Sequence, residues 1–354
     1  MPSCIYVDTK EKLEQAAEEW KKSKVLAIDL ECENNLHHYG AYISLIQISD
    51  NDHNWVIDVL EIKDIKALIK VLEDEDIEKI FHDVSFDFRI LYDQFKCHPK
   101  PVFDTQIAAL LLGKENLGLG ALLEEYMGIK KESRFQMADW TRRPLSDSML
   151  SYAIKDTLYL IKLKDFLTKE LKEKGRFDWA QQEFRHIDDY NFEYHEQDFS
   201  DVKRVKELSP QQLGVFKNLF ALRKKIAKMV DRPVHFIINN KRLRESAINP
   251  PEWKKMRGVH PVVRQSASLF RKAMMEGKKE PVYLEKKERK FFSPAQKKFL
   301  EKLNETQKKT AEKLGIRGHL IVNKEQSIMM ANGDSSCLRK WQKEILEKAG
   351  MKLG

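Results

Sequence analysis

The chain has 354 residues, of which 42% are hydrophobic and 33% are charged, a composition typical of a folded globular protein rather than a disordered one. No apolar run approaches the roughly 20 residues that a membrane-spanning helix needs, and the N-terminus has no apolar core of the signal-peptide type. We therefore expect neither membrane association nor export.

The net charge of +8 is the sum of two opposite halves of the chain. Residues 1–200 hold 26 Lys and Arg against 39 Asp and Glu, whereas residues 201–354 hold 37 against 16. The acidic half is suited to hold cations in a site, and the basic half to bind a polyanion, of which nucleic acid is the commonest. Surface charge that merely keeps a protein in solution would explain the net value but not this segregation.

The first 175 residues alternate between strand-like and helical patterns. Short apolar runs predict strands at 25–30, 42–48, 54–59 and 79–82. Helical periodicity predicts helices at 104–112, 119–126 and 148–171. This alternation indicates a mixed sheet covered by helices. From about residue 176 the pattern becomes helical.

Two long helices in the basic half are predicted to begin with the same signature. The segments 209–212 (SPQQ) and 293–296 (SPAQ) each combine a Ser N-cap, a Pro at the first helical position and a Gln that completes a capping box. Aligning 209–240 with 293–324 without gaps gives 10 identities in 32 positions. An internal duplication explains this better than two unrelated amphipathic helices.

Three groups of acidic residues are candidate metal ligands. Asp29 and Glu31 end an apolar strand, where residues two apart face the same side. Asp87 follows a predicted strand, in a first helical turn that suits a carboxylate even without a metal. Tyr152 and Asp156 are four residues apart on a predicted helix and share one face. Each group alone is also typical of an exposed surface, so the prediction rests on their combination.

Four carboxylates at one sheet edge fit two divalent cations, Mg²⁺ or Mn²⁺, with oxygen ligands. Two such ions about 4 Å apart can activate water and stabilise the leaving oxygen in phosphodiester cleavage. No Cys/His metal pattern and no Gly-rich phosphate loop in the sequence competes with this interpretation.

These residues also carry a resemblance to a known family. The segments 27–31 (AIDLE), 81–87 (FHDVSFD) and 152–156 (YAIKD) resemble the three motifs of the DEDDy 3′→5′ exonucleases. The segments 103–106 and 138–145 are similar to parts of ribonuclease D and of the nuclear-exosome-associated exonuclease. Over roughly 24–172, the resemblance implies an α/β ribonuclease-H-like fold. It also implies that Asp29, Glu31, Asp87 and Asp156 bind metal, that Tyr152 orients the attacking water, and that His82 lies near the terminal nucleotide.

The duplicated basic half resembles helicase-and-RNase-D C-terminal (HRDC) domains. We therefore predict an exonuclease domain at 1–190, an all-α HRDC domain at 200–285 and a second HRDC-like domain at 290–354. The chain departs from the bacterial pattern at Cys32 and in the insert 33–39, which is closer to the exosome-associated relatives. Asp83 stands where relatives usually have a small residue; it could be an extra acid in the site, but an acid at a helix start fits a surface or capping role better.

Further substrate contacts are expected from both halves. Trp140 could stack a base and Arg142 and Arg143 could hold phosphate, but Trp140 is at least as suited to packing under the third-motif helix. Lys224 and Lys225, repeated as Lys308 and Lys309, are expected to meet the RNA backbone. The basic run 286–290 fits a solvated linker better than an RNA contact or a nuclear signal.

Together these observations predict hydrolysis of single-stranded RNA from its 3′ end, of the kind that processes tRNA and other stable RNAs, with release of nucleoside 5′-monophosphates. Two alternatives stay open: a 3′→5′ DNA exonuclease, and a nucleic-acid-binding scaffold with a silent nuclease fold. We expect a cytoplasmic location, or a nuclear one for an exosome-associated relative. The sequence identifies no protein partner.

Overall fold

A computed structural model describes residues 4–189, 192–285 and 291–353. The basic run 286–290, predicted to be a linker, lies outside the described residues. The chain divides into two compact units. Of the described residues, unit 1 contains 4–31, 43–189, 192–193 and 291–353, and unit 2 contains 32–42 and 194–285. Within these described ranges, no helix is both long and apolar enough to span a membrane.

A six-stranded mixed sheet forms the centre of the first half of the chain, as the alternating pattern predicted. The strands are β1 (Ile5–Val7), β2 (Val25–Asn34), β3 (Ala41–Ser49), β4 (Asn54–Asp58), β5 (Glu78–Phe81) and β6 (Val102–Asp104). Their order in the sheet is β1-β4-β3-β2-β5-β6. The pairs β1/β4, β2/β5 and β5/β6 are parallel, and β3/β4 is antiparallel. Leu26, Ala27 and Ile28 of β2 are fully buried, so the centre of the sheet excludes water.

Eight helices of unit 1 lie between residues 10 and 188 of the described chain. They are α1 (Lys10–Trp20), α2 (Lys66–Leu72), α3 (Val84–Phe95), α4 (Thr105–Leu112), α5 (Leu119–Met127), α6 (Asp147–Ala153), α7 (Leu160–Glu173) and α8 (Phe177–Asp188). The predicted helices at 104–112 and 119–126 are confirmed within a residue or two, as α4 and α5.

The prediction of one helix over 148–171 is wrong. The chain forms α6, then a 3₁₀ turn at Ile154–Asp156, and resumes as α7. Thr157 lies at the break and is fully buried. Its Oγ1 donates to the carbonyl of Ile154 at 3.2 Å and lies 2.6 Å from Ser49 Oγ of β3. This hydroxyl competes with the backbone ladder and anchors the chain to the sheet, which explains the interruption.

Unit 2 is helical, with a core around α9 (Pro210–Met229). The other helices are α10 (Val234–Ile237), α11 (Asn240–Ile248), α12 (Pro261–Gln265) and α13 (Ala267–Lys279), with 3₁₀ turns at Phe199–Asp201, Val205–Glu207 and Trp253–Lys255. Helices α9 and α13 touch at two glycines. A Cβ atom on Gly277 would lie 2.5 Å from the carbonyl oxygen of Gly214, so this close packing requires glycine.

The insert after the first acidic motif belongs to unit 2. Glu33 is buried and its carboxylate accepts a hydrogen bond from the backbone N–H of His37 at 3.0 Å, which closes the turn. His38 Nδ1 lies 2.6 Å from Asp231 Oδ2, and the N–H of Tyr39 donates to the same carboxylate at 3.1 Å. The Tyr39 ring packs against the hydrophobic core of the unit. The insert is therefore part of the helical unit's structure.

The C-terminal helices repeat the beginning of unit 2. They are α14 (Pro294–Leu314), α15 (Gly318–Ile321), α16 (Lys324–Ala331) and α17 (Lys340–Lys348). Both predicted capping boxes are confirmed. Ser209 and Ser293 each accept from the backbone N–H three residues later, at 3.3 and 3.2 Å, and the backbone N–H of each serine donates to the Gln side chain at that later position. Asn239 and Asn323, also 84 positions apart, cap α11 and α16 through their side-chain oxygens.

The same C-terminal helices pack within unit 1. Trp341 is buried and stacks on Trp179 of α8 with ring centroids 5.0 Å apart, and its indole N–H donates to Glu183 at 2.8 Å. The guanidinium of Arg176 donates to the carbonyl of Leu111 at 2.7 Å and to that of Leu314. This segment therefore covers surface of the exonuclease half that would otherwise meet water.

Candidate active site

Three carboxylates from distant parts of the sequence meet at the end of β2. Asp29 and Glu31 lie two residues apart on β2, so strand alternation places them on one side, as predicted. Asp156 reaches the same place from the 3₁₀ turn that separates α6 from α7. One carboxylate oxygen of each of the three residues lies within 4.8 Å of the others. That spacing is short enough for a single cation to contact all three.

The three acids line a cleft of about 410 Å³, which we call the acidic cleft. Its other lining side chains include Tyr152 and His82, both predicted, and Lys131, Glu132 and Gln136, which were not. The glycines Gly118 and Gly120 complete one wall without side chains. The structure thus brings the first-motif and third-motif residues into one site.

Burial and mutual repulsion shape the protonation of this site. Burial, with added repulsion from Asp156, raises the pKa of Asp29 to about 7. Burial and the charge of Asp29 raise the pKa of Glu31 well above its usual range. Burial also raises the pKa of Asp156, and the neighbouring ammonium of Lys131 opposes that rise. Carboxylates gathered at such electrostatic cost are the expected ligands of a divalent cation, which favours their ionised form.

Asp87 is placed differently from the other three acids. It lies in the first turn of α3, as predicted, but is not among the described side chains that line the acidic cleft. Burial raises its pKa well above the usual range, and the charge of Asp29 adds to the shift. Asp87 is therefore electrostatically linked to the cluster, and its role as a ligand stays a prediction.

The start of α3 is fixed by two other acids. Asp104 is buried and accepts hydrogen bonds from the backbone N–H groups of Val84 at 3.0 Å and Gln106 at 2.7 Å. Asp83 has a positive φ of 65° and caps α3, with the Ser85 hydroxyl donating to its carboxylate at 2.8 Å. The capping role predicted for Asp83 is confirmed. Both acids hold the turn that carries Asp87.

His82 is held by the neighbouring strand end. Its Nδ1 lies 2.9 Å from Thr105 Oγ1, and the Thr105 hydroxyl donates its proton to the carbonyl of Phe81 at 3.0 Å. Burial lowers the pKa of His82 to about 4, so the imidazole is neutral at neutral pH. His82 can therefore contact a nucleotide through hydrogen bonds or ring stacking without adding charge.

The Tyr152 ring packs against two other aromatic rings, and only 5% of the residue is exposed. Phe135 meets it edge-on with centroids 5.5 Å apart, and Trp140 lies against it at 6.0 Å with the ring planes tilted by 32°. Burial and the charge of Asp156 raise the pKa of Tyr152 to about 12. The phenol therefore keeps its proton at neutral pH and can donate a hydrogen bond.

Trp140 is buried behind Tyr152 and does not line the acidic cleft. Arg143 fixes this segment, since its guanidinium donates to the carbonyl of Trp140 at 2.8 Å and to the buried carboxylate of Asp58 at 2.7 Å. Arg142 has 79% of its side chain exposed and pairs with Asp139 at 3.1 Å, away from the cleft lining. These positions favour packing over base stacking for Trp140.

The predicted lysine contacts lie in unit 2. Lys224 forms an ion pair with Glu196 at 2.8 Å, and Lys225 is exposed on α9. Contact of Lys224 and Lys225 with RNA therefore stays a prediction.

Lys131 is the basic residue of the cleft, and the sequence did not single it out. Its ammonium pairs with the carboxylate of Asp156 and lies 5.9 Å from the centroid of the Tyr152 ring. Within the described lining of the acidic cleft it is the one Lys or Arg side chain. The available signal was a Lys130-Lys131 pair in a half of the chain that is otherwise acidic.

Comparison with known proteins agrees with this geometry. Residues 4–172 match the family described as 3′-5′ exonuclease, and residues 212–276 match the HRDC domain. Residues 4–172 belong to the 3′-5′ exonuclease family. The resemblance inferred from the acidic motifs, and the HRDC domain in the basic half, are thereby confirmed. Exonucleases of this family are metal-dependent, which fits a site built from carboxylate oxygens.

Individual relatives bear names of two kinds. Ribonuclease D of Sphingobium indicum is 32% identical over 246 residues, which cover 67% of this chain and 63% of the relative. Exosome complex component 10 of Mus musculus is 30% identical over 300 residues, covering 79% of this chain and 33% of the relative. The chain thus spans less than two thirds of the length of both. The crystal structure of Escherichia coli RNase D matches with a TM-score of 0.74 at 23% identity, covering 98% of this chain and 97% of that one, and so shares its fold.

Proposed function

We propose that this chain is a metal-dependent exoribonuclease that hydrolyses single-stranded RNA from its 3′ end and releases nucleoside 5′-monophosphates. The observation that carries the proposal is the meeting of Asp29, Glu31 and Asp156 within 4.8 Å, in a cleft that Tyr152 also lines. The exonuclease family match supports cleavage from the 3′ end, and the relatives named ribonuclease D support RNA as the substrate. We propose the cytoplasm as the location.

We further propose that two Mg²⁺ or Mn²⁺ ions are held by Asp29, Glu31, Asp87 and Asp156. When bound, such ions lower the pKa of water and stabilise the oxygen that leaves in phosphodiester cleavage. The convergent oxygens of Asp29, Glu31 and Asp156 support the first ion, because carboxylates are the ligands that Mg²⁺ prefers. The electrostatic link between Asp87 and Asp29 supports Asp87 as a ligand of the second.

The chain's own side chains would act on substrate and water as follows. The protonated hydroxyl of Tyr152 orients the attacking water, and the surrounding aromatic rings keep that hydroxyl in place. The ammonium of Lys131 is available to the phosphate at the reacting end, because it already lies beside Asp156 at the cleft wall. His82 contacts the terminal nucleotide as a neutral ring.

We propose three domains: the exonuclease domain at 1–190, an HRDC domain at 200–285 and a second HRDC-like domain at 290–354. The match at 212–276 supports the first helical domain. The repeated capping boxes and N-caps at an offset of 84 residues support the second. The second domain packs on α8 of the exonuclease half, which indicates a structural role beside any contact that Lys308 and Lys309 make with RNA.

The proposal is tested by digesting RNA and DNA strands of one sequence, labelled at either end, with and without Mg²⁺. We expect the 3′ label to appear at once as a mononucleotide and the 5′ label to move down a ladder, with RNA degraded faster than DNA. Asp29→Asn serves as the inactive control. Faster loss of DNA would make the chain a DNA exonuclease, and no cleavage with Mg²⁺ or Mn²⁺ would make it a binding scaffold.

A further inference from the structure

Unit 2 contains a cleft of about 450 Å³ that no sequence motif indicated. We call it the basic cleft, because four basic side chains line it: Lys203, Arg204, Lys241 and Arg244. Gln197 and Asn240 add side-chain amides. Among the described residues that line the basic cleft, none is acidic. A concave surface with this composition is suited to an anion that carries several charges.

The basic side chains are presented by two anchored segments. Val202 is buried in the core of unit 2, while the next two residues, Lys203 and Arg204, remain exposed. On α11, Leu243 is fully buried on one side, whereas Lys241 and Arg244, three residues apart, lie on the cleft side. The cleft also adjoins the beginning of α11, where the helix dipole is positive.

Arg244 has hydrogen-bonding capacity that the described chain does not satisfy. Its side chain is only 12% exposed, and among the described residues its Nε and Nη1 have no hydrogen-bond partner. The carboxylate of Glu207 is 3.9 Å away and instead accepts a hydrogen bond from Arg204 at 2.7 Å. Buried guanidinium donors without acceptors are costly, and the oxygens of a phosphate group would satisfy them in the planar, two-pronged geometry that guanidinium favours.

We propose that the basic cleft binds the phosphate groups of an RNA strand, as a second contact that is separate from the acidic cleft. The identity of the polyanion rests on the proposed exoribonuclease function. The proposal moves the main RNA contact of unit 2 away from Lys224, which is paired with Glu196, to Lys203 and Lys241. The side chain of neither lysine forms a hydrogen bond or ion pair with another residue in the ranges that the structure describes.

The test measures the affinity of the full chain for a labelled RNA of about 20 nucleotides, in EDTA so that no cleavage occurs. The double variant Lys203→Glu/Lys241→Glu is compared with Lys254→Glu/Lys278→Glu, which reverses the same charge at exposed lysines of unit 2 outside the cleft lining. We expect the cleft variant to bind RNA about 10-fold or more weakly. The slope of log affinity against log salt concentration should be shallower by roughly 0.7 for each phosphate that the cleft no longer neutralises. The RNA affinity of the control variant should stay within about 2-fold of that of the parent chain.

Hydrolysis of a dinucleotide with Mg²⁺ separates this proposal from the proposed function. A dinucleotide held in the acidic cleft has no second phosphodiester to reach the basic cleft, so kcat/KM should be the same in both variants. If the parent chain cleaved nothing but bound long RNA through the basic cleft, the proposed exoribonuclease activity would be refuted and the proposed RNA contact would be supported. Equal RNA affinities of the cleft variant and the control would overturn the proposed RNA contact. It would also be overturned if the cleft variant lost binding to polyglutamate but kept binding to RNA.

Discussion

The ammonium of Lys131 forms an ion pair with the carboxylate of Asp156, the acid that completes the three-carboxylate cluster. The same ammonium lowers the pKa of both Asp29 and Glu31 against the rise that burial causes. Lys131 therefore helps to keep the three carboxylates ionised, which is the state that binds a cation.

Replacing Lys131 by Met should change the pH dependence of RNA hydrolysis. Without the ammonium, the pKa values of Asp29, Glu31 and Asp156 rise, so the acidic limb of the kcat/KM profile should move to higher pH. At neutral pH we expect a fall of about 10-fold or more. Lys130→Met is the matched control, because Lys130 is exposed and pairs only loosely with Glu124, at 3.9 Å. Superimposable pH profiles for the two variants would refute this role.

Replacing Asp29 or Asp156 by Asn should abolish hydrolysis while the chain stays folded. Each change removes a charged oxygen from the three-carboxylate cluster that we propose holds the cation, in which one oxygen of each acid lies within 4.8 Å of the others. EDTA should also stop hydrolysis, and excess Mg²⁺ should restore it. The assay is release of mononucleotide from labelled RNA, with circular dichroism to confirm folding. Hydrolysis that continues undiminished in EDTA would remove the metal mechanism.

The metal-free Asp29→Asn variant should be more stable than its parent at alkaline pH. Burial raises the pKa of Asp29 to about 7 from 3.8, so between these pH values the folded chain binds more protons than the unfolded one. The free energy of unfolding therefore falls as pH rises through this window, and Asn avoids that decrease. Thermal melts in EDTA should show the variant melting a few degrees higher at pH 8 and no higher at pH 4.

Two comparisons make the melting experiment specific to the site. Mg²⁺ should stabilise the parent more than Asp29→Asn, since ligand binding to the folded state adds to its stability. Asp165→Asn, an exposed acid on α7, should melt like the parent at both pH values. A parent that gained stability in EDTA between pH 4 and pH 8, relative to Asp29→Asn, would contradict the raised pKa.

Tyr152→Phe should lower kcat by about 100-fold or more and leave RNA affinity nearly unchanged. The substitution keeps the ring that packs on Phe135 and Trp140 and removes only the hydroxyl that we propose orients the attacking water. Single-turnover rates and binding in EDTA separate the two effects. Phe135→Leu, which alters the ring's packing but keeps the hydroxyl, is the comparison variant. A fully active Tyr152→Phe enzyme would make Tyr152 a packing residue.

Trp341→Ala should destabilise unit 1, although Trp341 is far along the chain from the exonuclease motifs. The change removes the stacking on Trp179 and the hydrogen bond to Glu183, at a cost of about 3–5 kcal/mol for a buried Trp. We also expect a chain ending near residue 200 to lose stability, because it lacks helices α14–α17. Melting of full-length, Trp341→Ala and truncated chains measures this. If truncation left the melting temperature of the exonuclease half unchanged, the C-terminal helices would not support it.

The parts of the fold that the sequence predicted are those that depend on local chemistry. The capping boxes at Ser209 and Ser293 are contained within four residues each, so their signature is complete in the sequence. Strands β1 and β6 have three residues each, too few to show alternation. The break before α7 depends on a contact between Thr157 and Ser49, 108 positions apart, which no local pattern reveals.

The site divides in the same way. Asp29 and Glu31 were predicted to face one side because strand geometry alone requires it. Lys131 follows α5 in a segment without periodicity, and its importance arises only from the contact with Asp156. Trp140 was open to two interpretations because a Trp beside Arg suits either packing or base stacking, and burial favours packing.

The division of unit 1 between early and late segments has a consequence for biosynthesis. Residues 291–353 leave the ribosome after all of unit 2, yet they cover Trp179 and bond to Arg176 in the exonuclease half. At usual translation rates the interval between residues 189 and 353 is on the order of ten seconds. Throughout that interval the nascent exonuclease half exposes apolar surface, so chaperone binding to stalled chains should be strongest before α17 emerges.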